Sequence, residues 1–196
     1  MLIGTTDLDL QRTVVWNVGA IAQGRSPDKV SIIRDILLAS SSVPLLFPPV
    51  YFNVAFEGKV YQQMHVDGGI ESPLLVPGLL SEFEAALQAA GLKSKIPKVV
   101  LYALVNQQVA VENTKPVNAG MTAIAMATIN HSQRSNLASN LARLRLLSQA
   151  QGVEMKVLSI PPEVRLERDS LDFDQAEMMT LSEMGLRLGA TLSAWK

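Results

Sequence analysis

One acidic residue followed by two glycines constrains this chain more than any other feature. Asp67-Gly68-Gly69 closes an alternating segment, Val60-Tyr61-Gln62-Gln63-Met64-His65-Val66. As a strand, the segment places Tyr61, Gln63, His65 and Asp67 on one face and Val60, Gln62, Met64 and Val66 on the other. Gly68 and Gly69 then permit a tight turn and a close approach of backbone to backbone. The pattern predicts a carboxylate presented at a strand end, a frequent place for chemistry in α/β folds. The two glycines and His65 beside it are candidate turn or pocket residues.

The rest of the chain alternates between strand and helix signals. Leu2–Thr6 and Thr13–Trp16 read as strands, as do Val50–Val54 and Lys59–Val66, joined by a turn at Glu57-Gly58. Lys98–Val105 reads as a strand of the fully buried type, and Glu154–Ile160 as another, closed by Pro161-Pro162. Ile32, Ile33, Ile36 and Leu37 recur at helix spacing between Asp28 and Ser40, and Pro44, Pro48 and Pro49 forbid continuation. Further helices are expected over Leu79–Ala90, over a buried Ala- and Met-rich stretch from Met121 to Ile129, and over Arg134–Gln151. The last of these carries Leu137, Leu141, Leu144 and Leu147 on one stripe. A final helix starts at Asp174, with Glu177 at capping-box spacing, and carries Met178, Leu181, Met184, Leu188 and Leu192. This order argues for a three-layer α/β domain.

Composition removes several classes of function. In 196 residues there is no cysteine, so thiolate metal sites, disulfides and a Cys nucleophile are excluded. Only His65 and His131 offer imidazole, so no metal and no cofactor is expected. A net charge of −1 gives no electrostatic case for nucleic acid. The Arg134, Arg143 and Arg145 group reads as a solvated helix face. No apolar run reaches membrane-spanning length, and Met1–Thr6 does not read as a signal peptide. Ser40, Ser41 and Ser42 follow a helix, where serines bond local backbone, and are rejected as nucleophiles. Asp7 and Asp9 can be read as a metal pair, but turn and capping roles are the better reading. Val43–Phe52, with Pro44 and Phe47, either lines an acyl channel or fills the core; both readings stand at this point.

Four segments resemble the patatin-like phospholipases, bacterial members in particular. They are Leu2-Ile3-Gly4-Thr5-Thr6-Asp7-Leu8-Asp9, the small-residue and Phe-Pro-Pro run Leu38–Pro49, His65-Val66-Asp67-Gly68-Gly69, and Leu171-Asp172-Phe173-Asp174 with the helix after it. The resemblance spans nearly the whole chain. It implies a three-layer α/β/α sandwich, incomplete at its N-terminal side, with residues 1–196 forming the C-terminal part of one domain. It implies hydrolysis of lipid acyl esters by a Ser-Asp dyad, with Asp67 as the base. The family's glycine-rich oxyanion loop and G-x-S-x-G elbow have no counterpart here; Gly24-Arg25-Ser26-Pro27-Asp28 lacks the second glycine. The implied partners are an acyl-ester substrate, a membrane met peripherally, and a missing N-terminal segment of the same domain. The implied location is the bacterial envelope or outside the cell. The rival expectation is a non-catalytic protein of this fold that binds lipid or a protein partner.

Overall fold

A computed structural model describes residues 1–71, 88–89, 91, 99–110, 116–165 and 174–195. The chain is α/β. Its contacts group into two compact units, Met1–Glu82 with Asn118–Leu141, and Phe83–Val117 with Ala142–Lys196.

The first unit is built on a four-stranded antiparallel sheet. β1 (Leu2–Asp7), β2 (Arg12–Asn17), β3 (Val50–Phe56) and β4 (Lys59–Asp67) lie in the order β2-β1-β4-β3. Two tight turns set the register. Asp7 Oδ1 accepts the Asp9 and Leu10 N–H groups at 3.0 and 3.1 Å, which closes the β1–β2 connection and confirms a turn role for Asp7. Glu57 and Gly58 both have positive φ, 49° and 74°, between the paired ends Phe56 and Lys59. That is the two-residue hairpin geometry whose twist matches flanking strands. Asn17 caps a short helix, α1 (Val18–Gln23), through the Ala20 N–H. Helix α2 (Lys29–Ser40) starts where Pro27 allows and buries Ile36 and Ala39 completely. The centre of this unit is unusually polar: Thr5, Thr6, Asp7 and His65 are buried beside Ile3 and Val66.

In the second unit β5 (Val100–Val105) and β6 (Glu154–Ser159) run parallel. The described part of the Lys98–Val105 stretch, residues 99–105, is not the fully buried strand that its run of apolar residues predicts. Ala103 and Val105 are buried, but Tyr102 and Leu104 are 56% and 72% exposed. The strand therefore has one covered face, and apolar composition alone does not report that.

A single helix, α3 (Met121–Ala150), replaces the two expected over Met121–Ile129 and Arg134–Gln151. No Gly or Pro interrupts those 30 residues, so nothing stops propagation. The expectation that Met121–Ile129 is buried is overturned: none of its residues is fully covered. Its Ala-rich composition reports helix propensity, not burial. Leu137, Leu141 and Leu144 are buried, as the stripe predicts. Gly152 at φ 67° ends the helix. Asp174 accepts the Glu177 N–H at 2.9 Å and opens α4 (Gln175–Ala190). Its predicted stripe is only partly covered, since Leu181, Met184 and Leu188 are half-buried and Met178 and Leu192 exposed. The expected helix over Leu79–Ala90 and the Leu171–Phe173 segment lie outside the described residues, apart from Gln88 and Ala89, which are helical.

Candidate active-site carboxylate at the end of strand β4

Asp67 is the last residue of β4, and three neighbours fix its backbone. Its N–H donates to the Ser42 carbonyl at 3.0 Å. Its carbonyl accepts the Thr6 hydroxyl at 2.9 Å. Across the ladder it faces Thr5 of β1. The chain then turns through a short 3-10 segment, Gly68–Ile70.

The glycines have separable reasons to be there. A Cβ on Gly68 would lie 2.5 Å from the Gly4 carbonyl oxygen and 2.7 Å from its carbon, so only glycine fits without moving β1. A Cβ on Gly69 would meet Asp67 Oδ1 at 3.0 Å. The Gly69 N–H donates to that same oxygen at 2.6 Å. The turn thus holds one carboxylate oxygen by a backbone donor. Burial pushes the Asp67 carboxyl above the ordinary aspartate range, and the Gly69 N–H opposes that shift. A half-buried carboxylate with a raised pKa is a stronger base than a solvated one, and suits acceptance of a hydroxyl proton.

His65 shares the strand face of Asp67 but is not paired with it. It is fully buried, and its Nδ1 lies 2.8 Å from the Thr5 hydroxyl. Trp16 Nε1 donates to the same oxygen at 2.8 Å. The Trp16 and Phe52 rings stand 5.7 and 4.9 Å from the imidazole. Burial lowers the His65 pKa, opposed by the charges of Asp7 and Asp9 and reinforced by Arg12. The imidazole is therefore neutral at pH 7, and its contacts with described residues are structural. Its Nε2 and Asp7 Oδ2 are both buried without a hydrogen-bond partner among the described residues.

The remaining candidates flank Asp67. Ser42, whose carbonyl anchors Asp67, donates its hydroxyl to the Leu38 carbonyl at 2.7 Å. Ser41 donates to Leu37 and Leu38 carbonyls, so both act as local backbone caps. Pro44 and Leu45 follow at the centre of a turn closed by Leu46 N–H to the Val43 carbonyl, 3.1 Å. Leu45 has φ 71° there, the second central position of a type II turn, which normally takes glycine. Leu45 and Phe47 are 64% and 50% exposed. The core-filling reading of Val43–Phe52 therefore fails at these two side chains. Arg143 and Arg145 are exposed on α3 and Arg134 is half-buried.

Two residues of this site were not singled out by sequence reasoning as parts of it. Thr5 is the hydroxyl that joins Trp16 to His65, and no local pattern marks it. Gly4 is the surface against which Gly68 packs. An isolated glycine inside a strand pattern is a signal for such close approach.

No family model and no curated protein matches this chain. Among the described residues no helix is long and apolar enough to cross a membrane, and no group of three His, Asp or Glu side chains could hold a metal ion.

Proposed function

We propose that this chain supplies the general-base carboxylate, Asp67, of a patatin-like lipid acyl hydrolase. The observation that carries the reading is the half-buried Asp67 carboxyl, raised in pKa and gripped on one oxygen by the Gly69 N–H. In such a dyad the carboxylate accepts the proton of a serine hydroxyl as that oxygen attacks an ester carbonyl. An acyl-enzyme forms, and water then releases the acid. The order of the Thr-Thr-Asp, Phe-Pro-Pro and Asp-Gly-Gly segments supports this reading, as does the tie between Ser42 and Asp67. The three-layer α/β/α sandwich belongs to the same proposal. So does a separate segment, bearing a glycine-rich loop and a G-x-S-x-G elbow, that provides the nucleophile and the oxyanion donors.

The test is esterase activity on a short nitrophenyl ester, with and without such a segment co-expressed. The chain alone should give no turnover above background. The complemented protein should turn over, and Asp67→Asn should remove about 10²–10⁴-fold of the rate, the usual worth of a general base. Turnover by the chain alone, abolished by a serine-directed phosphonate, would place the nucleophile within these 196 residues. A complemented protein indifferent to Asp67→Asn would refute the assignment.

A further inference from the structure

The glycine turn after Asp67 is held at both ends. Before the glycines, the Ser42 carbonyl and the Thr6 hydroxyl fix the Asp67 backbone. After them, Asn136 Nδ2 on helix α3 donates to the Ile70 carbonyl at 2.8 Å, a bond that spans 66 residues of sequence. Asn136 and Ile70 belong to the same compact unit. A carbonyl only accepts, so chemistry fixes which end of the amide faces Ile70. Ile70 ends the 3-10 segment, where a carbonyl finds no partner within the turn itself.

Nothing local asks for an asparagine at position 136. In mid-helix its amide competes for backbone groups and favours other conformations. Asn140, one turn on, shows the ordinary outcome: its Nδ2 donates to the Asn136 carbonyl at 2.9 Å, within the helix. Asn136 directs its donor across the fold instead. Buried Leu137 and Leu141 set the rotation of α3, and Asn136 and Asn140 border them, both half-buried. Between the two anchors of the turn stands Gly69, whose N–H meets Asp67 Oδ1 at 2.6 Å. A hydrogen bond weakens steeply as it bends, and two adjacent glycines leave a backbone many other shapes. The grip on the carboxylate therefore depends on both ends of the turn staying in place.

We propose that Asn136 is a positioning residue: by holding the Ile70 carbonyl it keeps the Gly69 N–H aimed at the Asp67 carboxylate. The value of this for catalysis rests on the general-base reading of Asp67, whereas the link itself needs no esterase activity.

The test compares Asn136→Leu, which keeps the shape and removes the donor, with Asn140→Leu, both in the full chain by NMR. In Asn136→Leu the Gly69 amide should exchange with solvent about tenfold faster, the worth of one hydrogen bond. The Asp67 carboxyl should titrate at higher pH than in the unaltered chain, because the Gly69 N–H favours the charged form. Asn140→Leu should move neither, although it removes a bond from the same helix. In the unaltered chain the Asn136 side-chain amide should shift as Asp67 titrates, and should stop doing so in Asp67→Asn; this measurement decides the matter if Asn136→Leu does not fold. The proposal is overturned by unchanged Gly69 exchange and Asp67 midpoint in a folded Asn136→Leu protein, by an equal response in Asn140→Leu, or by an Asn136 amide indifferent to Asp67. Absence of esterase activity in the complemented protein counts against the base reading alone.

Discussion

The two ends of strand β4 share one backbone and one hydrophobic alternation, yet they live in different surroundings. Lys59–Gln62 are exposed on both faces. His65 and Val66 are buried on both faces, and Asp67 is half-covered. The outer end pairs only with β3, through a two-residue hairpin. The inner end is gripped between β3 and β1 at His65, then by β1, Ser42 and the glycine turn. Position along the strand, not face, decides burial here. The consequence is electrostatic: burial at the covered end shifts the pKa of both His65 and Asp67.

Substitutions at the two ends should therefore differ sharply. Gly68→Ala should be the most damaging, because its methyl would meet the Gly4 backbone, which cannot yield as a side chain does. A loss of about 3 kcal/mol is expected in urea unfolding. A loss under about 1 kcal/mol would mean the inner end is looser than described.

Thr5→Val should come next. It keeps the shape but leaves the Trp16 N–H and a buried His65 nitrogen without their shared partner. About 1–3 kcal/mol should be lost. The histidine ring resonances should also move, and unchanged spectra would break the Thr5 link.

The outer end should respond least. Glu57 occupies a left-handed position that Asn tolerates better, so Glu57→Asn should stabilise the hairpin by about 0.5 kcal/mol. Destabilisation would show that Glu57 makes contacts the hairpin geometry does not require.

The same contrast explains what the sequence made legible. Strand and hairpin signals around Glu57-Gly58 placed β3 and β4 to within two residues, because local turn chemistry sets them. Caps and stops at Asp174 and Gly152 were equally readable. The polar interior was not: Asp7 bonds its own turn, but the Thr6 hydroxyl bonds the Asp67 carbonyl and the Thr5 hydroxyl bonds His65, both across the ladder. Such pairing is long-range, with Thr5 and His65 sixty residues apart. Exposure at Leu104 and Met121 was hidden for a related reason, since apolar composition does not say whether a partner covers it. Asp67 itself was readable from the glycines that follow it, but its grip by Ser42 was not.

The most direct test is a carboxyl-carbon NMR titration of Asp67, assigned by comparison with Asp67→Asn. The account predicts a midpoint above the ordinary aspartate value of about 3.9. The sign for stability follows. The neutral form suits the fold better, so the contribution is complete below the unfolded-state pKa and is lost as pH rises through the folded-state pKa. Asp67→Asn should accordingly gain more in Tm at neutral pH than in acid. A midpoint at or below about 3.9 would contradict the claim that burial at the inner end of β4 raises the Asp67 carboxyl.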